Sequence, residues 1–293
     1  LIRVETSAYG GLLPQQWRSA LWSTWRGNWR TGQYQLSLRR EWVAGQPAPL
    51  MPSLGLDWQL LRRLLVKMKV SRNYRLPTFN DLYWLPGGNT QLLPETGWSQ
   101  ELGLERLGRQ SAWTLDVSLT AFNRIIDNWI LWSLEDGQSF WSASNLAQVW
   151  SRGLEPRLNL CYAWSSGSIN WHNGYDWIRS TNQRAVERPR LAAGSQLLYT
   201  PVHQFFSRIQ LRYNSFTLLY QHRLSSSSQG QLEVIPGFQT ARFSMAWQGQ
   251  WAATGRLQLQ GSINNIWNAD YMLIERRPMP GRLFQLSVLF SNL

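Results

Sequence analysis

The stretch SRNYRLPTFNDLYWLPGGN, from Ser71 to Asn89, holds a dense group of side chains able to bind a ligand. It follows a strand-like run and brings together an arginine, a proline, an Asn-Asp pair and two large aromatic residues. Guanidinium, amide, carboxylate and aromatic groups recognise ligands through hydrogen bonds, ion pairs and stacking. The mixture is too polar for a core and too aromatic for an idle linker.

Local chemistry predicts the course of this stretch. Pro77 disfavours helix at Leu76 and interrupts a strand ladder, so the chain should leave its sheet there. The glycines of PGGN supply turn residues able to take positive φ. Partners for Arg75 and other interior arginines are offered by three acids, Glu95, Glu101 and Glu105. Two interpretations stay open: the stretch shapes a rim and packs a loop, which we favour, or it contacts substrate directly.

Residues with the chemistry of catalysis or metal binding are sparse. His172 and His222 fall within predicted strands and His203 near a strand start, each isolated from the others. The chain has no His-Glu-x-x-His spacing and no Gly-x-Ser-x-Gly elbow, and one cysteine, Cys161, excludes an internal disulfide. A Ser-His-Asp set on distant segments stays open. We expect no catalytic residue, no metal site and no cofactor, and therefore a protein that is not an enzyme.

The composition is typical of a membrane interface. The 19 tryptophans are many for 293 residues, and indoles are favoured where lipid meets water. No apolar run reaches the length of about 18 residues that a membrane helix needs. The net charge of +12 is carried by arginines scattered along the chain, with only Lys67 and Lys69 as lysines, which argues against a nucleic-acid-binding stripe. A soluble all-β protein or a membrane β-barrel remains.

Alternation of apolar and polar residues is the strongest pattern in the chain. In SAWTLDVSLTAF, Trp113, Leu115 and Val117 are apolar, while Thr114 and Asp116 between them are polar. Period two predicts strands with two different faces. About thirteen strands are predicted, with Leu1 to Tyr9 as the tail of another. They lie near 16–26, 33–43, 53–61, 64–71, 97–107, 111–122, 143–164, 167–178, 203–213, 215–224, 237–249, 255–264 and 281–291.

The connections between these strands alternate between short and long. The gaps near 61–62, 108–110, 165–166 and 214 are tight, whereas those near 74–96, 179–202, 225–236 and 268–280 are long. An up-and-down membrane barrel with tight periplasmic turns and long outer loops predicts this alternation, and a Greek-key sandwich does not. We therefore expect an all-β, antiparallel transmembrane β-barrel, with the stretch from Ser71 in an extracellular loop.

Several segments, in order, resemble the TonB-dependent outer-membrane receptors, closest to the vitamin B12 and siderophore branch. They are SRNYRLPTFNDLYWLPGGNTQLLPETGWSQELGLE (Ser71–Glu105), AFNRIIDNWILW (Ala121–Trp132), NLAQVWSRGLEPRLNL (Asn145–Leu160), YTPVHQFFSRIQLRY (Tyr199–Tyr213) and GSINNIWNADYMLIERRPMPGRLFQLSVLF (Gly261–Phe290).

The resemblance implies a 22-stranded barrel, of which residues 1–293 would supply the C-terminal 13 or 14 strands. The plug domain, the TonB box and the first strands of the family are expected to be absent from this chain. Family members commonly end on an aromatic residue read by the barrel-assembly machinery, whereas Phe290 here lies three residues before Leu293.

The resemblance also implies uptake of a scarce, large nutrient, such as cobalamin, a siderophore or another metal chelate, in the outer membrane of a Gram-negative bacterium. The TonB complex would act through the plug, and outer-membrane lipid, lipopolysaccharide and a surface lipoprotein are further expected partners; nucleic acid is not. Direct substrate contact, where it occurs, is expected from ten loop and rim residues: Arg75, Asn80, Asp81, Tyr83, Trp84, Asn89, Trp132, Trp141, Arg276 and Arg277.

Two interpretations apply to the tryptophans near 135–142. They anchor the strand ends at the membrane interface, which we favour, or they form an aromatic platform for a flat ligand. These residues are Trp129, Trp132, Trp141 and Trp150. Outer-loop arginines would hold phosphates of lipopolysaccharide, an anionic ligand or a lipoprotein; they are Arg179, Arg184, Arg188, Arg190, Arg276, Arg277 and Arg282. Rival functions are a passive porin of about fourteen strands, a barrel that docks a surface lipoprotein, and a soluble nucleic-acid binder.

Overall fold

A computed structural model describes residues 2–46, 48–134, 137–145, 148–185, 192–251 and 255–292. Strands dominate these ranges, with one short α-helix, α1 (Phe79–Tyr83), and one 3₁₀ turn at Ser7–Tyr9. The helical segments of the described chain are too short and too polar to span a lipid bilayer.

Thirteen strands form one large antiparallel sheet, in the order β21-β18-β17-β14-β13-β12-β11-β8-β7-β6-β5-β4-β3. They are β3 (Arg18–Trp29), β4 (Gly32–Val43), β5 (Met51–Leu61), β6 (Leu64–Arg75), β7 (Glu95–Gln110), β8 (Trp113–Asp127), β11 (Gln148–Trp164), β12 (Gly167–Asn182), β13 (His203–Tyr213), β14 (Phe216–Ser225), β17 (Phe238–Trp251), β18 (Gly255–Asn264) and β21 (Leu283–Asn292). The antiparallel order of the predicted strands is confirmed, and their positions are confirmed except at the start of the strand predicted at 143–164.

Within the described ranges, four small two-stranded sheets lie outside the large one. They pair β1 (Ile2–Arg3) with β2 (Gln15–Gln16), β9 (Ile130–Leu134) with β10 (Trp141–Asn145), β15 (Ser228–Gln229) with β16 (Val234–Ile235), and β19 (Met272–Ile274) with β20 (Arg277–Pro278). Two predictions are wrong in part. The predicted strand 143–164 begins in β10, which pairs with β9 rather than with the large sheet. Of the strand tail predicted at Leu1–Tyr9, Ile2–Arg3 is a strand, whereas Ser7–Tyr9 forms a 3₁₀ turn. Leu1, Leu146 and Ala147 lie outside the described residues.

The chain divides into two compact units. Unit 1 comprises Leu1–Leu104, Thr120–Gly153 and Arg179–Leu197, and unit 2 comprises Glu105–Leu119, Leu154–Ile178 and Leu198–Leu293. In each unit the strand register sorts side chains into rows of one character, because residues directly opposite each other on antiparallel strands point to the same face.

The rows of unit 1 separate apolar from polar residues. One row across β3, β4, β5 and β6 is apolar throughout: Trp25, Leu36, Leu54 and Val70. The third row along from it, on the opposite face, is polar: Asn28, Gln33, Asp57 and Lys67, with the amide of Gln33 donating to Asp57 at 2.8 Å. All four apolar side chains are at least 40% exposed. Together they form a continuous apolar stripe, which soluble proteins rarely expose to water.

Unit 2 repeats the arrangement over six strands. The apolar row runs Trp171, Ile209, Tyr220, Phe243, Ile263 and Phe284. The row one residue further along each strand, on the opposite face, runs His172, Arg208, Gln221, Arg242 and Asn264. One face of the strands is therefore apolar and the other polar, as the alternation predicts.

Long and short connections alternate as predicted. Two residues separate β3 from β4, β5 from β6, β7 from β8, β11 from β12 and β13 from β14. Ser111 and Asn214 take positive φ (53° and 48°), which closes two of these turns. The other connections carry three of the four small sheets of the described chain and most of its buried apolar side chains, among them Leu82, Leu92, Ile130, Leu197 and Ile235. The packed cores thus lie in the loops.

Candidate functional site

The connection between β6 and β7 is ordered by a capped helix. The strand ends at Arg75, directly before Leu76-Pro77, as predicted. Thr78 is the N-cap of α1: its hydroxyl accepts from the amide of Asp81 at 3.1 Å, and the Asp81 carboxylate accepts from the amide of Thr78 at 2.8 Å. This reciprocal capping box fixes a helix of one turn that has little stability of its own.

The Asp81 carboxylate also ties the helix to a neighbouring hairpin. It is 6% exposed and accepts from the indole N–H of Trp132, on β9, at 2.7 Å. The Arg75 guanidinium lies 3.8 Å away and forms two bonds to Glu95, at 2.8 and 2.5 Å. We call Arg75, Thr78, Asp81, Glu95 and Trp132 the Asp81 cluster.

Glu95 completes the cluster as a second buried carboxylate, 6% exposed. It accepts from Arg75 and from the backbone amide of Ile130 at 2.8 Å. The predicted pairing of Arg75 with one of the three acids is confirmed, and Glu101 pairs with another arginine, Arg124, at 3.1 Å. Buried carboxylates require such partners because their desolvation is expensive.

An apolar core packs against the Asp81 cluster. Leu82, Leu92, Ile130 and Ala143 are buried together, with Tyr83 and Trp132 packed against them. The hairpin of β9 and β10 therefore joins the loop of α1 through side chains as well as hydrogen bonds.

Gly87 brings the two segments into backbone contact. Its carbonyl accepts from the amide of Ala143 at 2.8 Å, and a Cβ at Gly87 would overlap the carbonyl oxygen of Trp141. A Cβ at Gly88 would lie 2.6 Å from the amide nitrogen of Trp84. Neither glycine uses its ability to take positive φ, and it is close approach of the backbone that excludes a side chain here.

Asn80 and Asn89 serve the loop as well. The Tyr9 hydroxyl donates to Asn80 at 2.6 Å. The Asn89 side chain donates to the carbonyl of Ala143 at 3.2 Å and accepts from the amide of Gln91 at 2.9 Å. Both amides therefore hold backbone or loop partners.

Two tryptophans of this site present their rings to solvent. Trp84 is 43% and Trp141 38% exposed, whereas Tyr83 and Trp132 are partly buried in the core below them. A cavity of about 330 Å³ lies beside Arg75 and Glu95, with Tyr74, Trp98 and Arg124 in its wall. The site offers stacking surfaces and hydrogen-bond donors.

Arg276 and Arg277, the two predicted residues of unit 2, lie at the hairpin of β19 and β20 and are exposed. Arg276 takes positive φ, 57°, at the turn. Arg282 in the same unit is exposed, as are Arg179 and Arg184 of unit 1. Arg188 and Arg190 lie outside the described residues.

Glu275, beside these arginines, is the centre of a loop junction that sequence reasoning missed. It is 7% exposed and accepts from the Tyr199 hydroxyl at 2.6 Å and from the amides of Leu232 and Glu233 at 2.8 and 3.4 Å. Three long connections meet at this one carboxylate, which we call the Glu275 junction. Its partners lie 42 to 76 residues away in sequence, so no local pattern marks it.

The electrostatics of the Glu275 junction favour an ionised carboxylate. Burial alone would raise the pKa of Glu275, but the hydrogen bonds from Tyr199 and the backbone amides lower it below its ordinary value. Burial, and then donation to Glu275, raise the pKa of Tyr199 well above its usual range. At neutral pH the pair is therefore an anion held by a neutral phenol.

Comparisons with known proteins agree with the fold and the motifs. Residues 16–266 match the family model "TonB dependent receptor-like, beta-barrel". The chain is 30% identical over 130 residues to a vitamin B12 transporter BtuB of Photobacterium profundum, covering 41% of this chain and 20% of that protein. It is 33% identical over 82 residues to BtuB of Vibrio vulnificus, covering 28% and 13%.

Solved structures share the fold. A mutant of the ferric enterobactin receptor PfeA of Pseudomonas aeruginosa matches with a TM-score of 0.73 at 17% identity, covering 97% of this chain and 46% of that one. The siderophore receptor PirA of Acinetobacter baumannii gives 0.71 at 14% identity, covering 95% and 46%. The chain thus spans about a fifth or less of these curated relatives and under half of these structures. With a family model matched over most of its length, the chain belongs to the TonB-dependent receptor-like β-barrel family.

Proposed function

We propose that this chain is the C-terminal part of the barrel of a TonB-dependent transporter in the outer membrane of a Gram-negative bacterium. The observation that carries the proposal is the sorting of side chains into apolar and polar rows, since exposed stripes such as Trp25, Leu36, Leu54 and Val70 suit lipid. Membership of the receptor family supports it. The polar rows then face a wet interior, and the long connections lie outside the cell.

The cargo that fits best is a scarce, large nutrient: cobalamin, a siderophore or another metal chelate. Two relatives are named vitamin B12 transporters, and two structural neighbours are named a siderophore receptor and a ferric enterobactin receptor. In this mechanism the outer loops and a plug domain bind the cargo, and the TonB complex displaces the plug. The present residues supply the wall, the polar lining and part of the vestibule, and they catalyse nothing.

Within the vestibule we assign different tasks to the ten predicted residues. Arg75, Asn80, Asp81, Asn89 and Trp132 position the loop, because their polar groups are engaged by other parts of unit 1. Tyr83 packs beneath them. The exposed rings of Trp84 and Trp141 are the groups left to stack on a flat cargo.

Arg276 and Arg277 have another task in this proposal. Both are exposed at a hairpin tip, where guanidinium groups bind phosphates of lipopolysaccharide or acidic groups of a surface lipoprotein. The Glu275 junction holds that hairpin in place.

Uptake measurements in the native host test the proposal. The gene is deleted and restored, with and without a functional TonB, and cells receive labelled cyanocobalamin or a panel of ferric siderophores. We expect one cargo to accumulate at least tenfold above the deletion strain, and only when TonB is functional.

The same measurements distinguish the rival functions. Uptake that persists without TonB, together with steady conductance of the purified protein in planar bilayers, would replace the proposal by a passive porin. A stoichiometric lipoprotein in detergent extracts, with no uptake of any cargo, would point to a docking role instead.

A further inference from the structure

Three arginines of unit 2 converge on one face of adjacent strands. Arg208 on β13 and Arg242 on β17 stand in one cross-strand row, separated by Gln221 of β14. Their backbones are therefore about 10 Å apart, two strand spacings. Arg223, on β14, stands two residues further toward the long connection and on the same face, opposite Phe206. Side chains as long as arginine reach one another over such distances.

The arginines line a cavity of about 730 Å³. Its floor comes from the strands and includes His172 and Asn264, and its upper wall comes from the connection between β18 and β21, including Tyr271 and Pro280. All of these residues belong to unit 2. The volume lies in the range of pockets that hold small molecules.

No carboxylate of the described chain neutralises these arginines. The residues that line the cavity include Arg208, Arg223 and Arg242 but no aspartate or glutamate, and none of the three forms an ion pair with a described residue. The Nε of Arg242 is buried without a hydrogen-bond partner. A buried donor of this kind is costly unless water or a ligand in the cavity satisfies it.

Some strand arginines elsewhere in the described chain do have carboxylate partners. Arg157, one strand beyond this row, donates to Asp176 at 2.5 Å, and Arg75 and Arg124 pair with Glu95 and Glu101. The guanidinium of Arg157 also lies 5.3 Å from the ring centre of Phe206, and the ring of His172 lies 5.4 Å from the same ring. Phe206 thus packs against Arg157 and His172, whereas the three arginines of the cavity have no carboxylate partner among the described residues.

We propose that this cavity binds a small molecule bearing several oxyanion groups, carboxylates or phosphates, and that it forms the part of the cargo site contributed by unit 2. The planar guanidinium matches both oxyanions with paired N–H donors, and three of them around one space favour a polyanion over a neutral ligand. The inference rests on the proposed transport function and narrows its cargo to acid-bearing molecules, such as a metal chelate with free carboxylates.

Calorimetric titration of the detergent-purified protein, as its gene encodes it, tests the inference. The probes are citrate, inorganic phosphate and, as a neutral comparison, glycerol. We expect saturable binding of citrate, weaker or no binding of phosphate, and none of glycerol. Should phosphate bind at least as tightly as citrate, the ligand class is the phosphates rather than the carboxylates, and the anion site stands.

Two variants make the titration specific. Arg242→Gln should weaken anion binding about tenfold and Arg208→Gln/Arg242→Gln at least a hundredfold, because each removes a bidentate partner. The matched control is Arg256→Gln on β18, an exposed arginine on the same face about 26 Å along the strand from Asn264. It makes the same change of charge and should bind within twofold of the parent. Circular dichroism of all variants checks that the sheet is intact.

The inference would be overturned if the parent and the double variant bound citrate with equal affinity, or if the folded parent bound no anion. Absence of anion binding is also the result expected if an acidic segment of the protein fills the cavity. These results are independent of TonB. If the protein binds anions but uptake does not depend on TonB, the proposed transport function is wrong and the anion site is retained. If uptake of a neutral cargo depends on TonB and no anion binds, the transport function is retained and the anion site is wrong.

Discussion

The Asp81 cluster of unit 1 and the arginine cavity of unit 2 both contain arginine, but only the first contains carboxylates that pair with it. Around Asp81, the carboxylates are buried and each charged group has partners: Arg75 with Glu95, Asp81 with Trp132 and Thr78. Around Arg242, the guanidinium groups face a cavity without a carboxylate, and a buried Nε lacks a partner. The difference teaches that polar groups with hydrogen-bond partners inside the protein stabilise the loop, whereas polar groups without such partners are available to bind a ligand. Substitutions that separate stability from binding can break or sharpen this comparison.

The largest effect is expected at Gly87, which joins the loop of α1 to the β9–β10 hairpin. Gly87→Ala places a methyl group on the backbone carbonyl of Trp141, which cannot move without displacing the hairpin. We expect a loss of about 3 kcal/mol in local stability, measured by amide hydrogen exchange at Ala143. Gly55→Ala is the control, because a Cβ there meets nothing within 4 Å. Unchanged exchange at Ala143 would show that the contact does not hold the loop.

A smaller loss is expected from Arg75→Gln, which leaves the buried Glu95 without its guanidinium partner. Because Arg75 itself is half-exposed, we discount the cost of a broken buried pair to about 2 kcal/mol. Protease cleavage within residues 76–94 measures it. Anion binding to the unit 2 cavity should not change. If it weakens as much as stability, the two regions do not have separate tasks.

Protonation should loosen the Glu275 junction. The folded-state pKa of Glu275 is lowered, so its contribution to stability is complete above the unfolded-state pKa and is lost as the pH falls through the lower, folded-state pKa. Glu275→Gln keeps the shape but weakens the charged hydrogen bonds, with an expected cost of about 1.5 kcal/mol at pH 7. Exchange of the Leu232 amide, followed from pH 7 to pH 3, reports both. A variant that retains the parent's acid sensitivity would assign that sensitivity to another group.

The smallest effect on stability is expected from Arg242→Gln, despite its large effect on anion binding. Removing one of three neighbouring like charges relieves repulsion, so unfolding in denaturant should be unchanged or slightly harder, by about 0.5 kcal/mol. Arg75→Gln serves as its opposite, since it lowers stability and spares binding. A clear destabilisation by Arg242→Gln would mean that this arginine has a structural partner in the native protein.

The sequence predicted the strands well because alternation is a local property. Each strand carries its own two-faced pattern, as Trp113, Leu115 and Val117 against Thr114 and Asp116 show, and the hairpins need only two residues to close. The pairing of Arg75 with Glu95 was predictable too, because one loop separates them. Failures occurred where distant loops meet. The β9–β10 hairpin was assigned partly to a loop, and its tie to Asp81 spans 51 residues.

The candidate site itself was predicted in composition but not in role. Asp81 and Trp132 were both selected, yet their sequence patterns do not reveal that one donates to the other and that both are thereby withdrawn from solvent. Conversely, Arg208 and Arg242 looked like ordinary polar positions of two strands. Only the strand register aligns them on neighbouring backbones, and register depends on pairing across the whole of β13, β14 and β17.

Because the connections are short at one end of the strands and long at the other, insertions have different consequences at the two ends. One extra residue at the turn of Asn214 and Ser215 would slip the pairing of β13 with β14, turning Leu211 inward and Arg212 outward in a single step. At the opposite end, the stretch between β18 and β21 can be lengthened without changing the register of β18 against β21. New recognition properties can therefore be grafted onto an unaltered frame from that side alone.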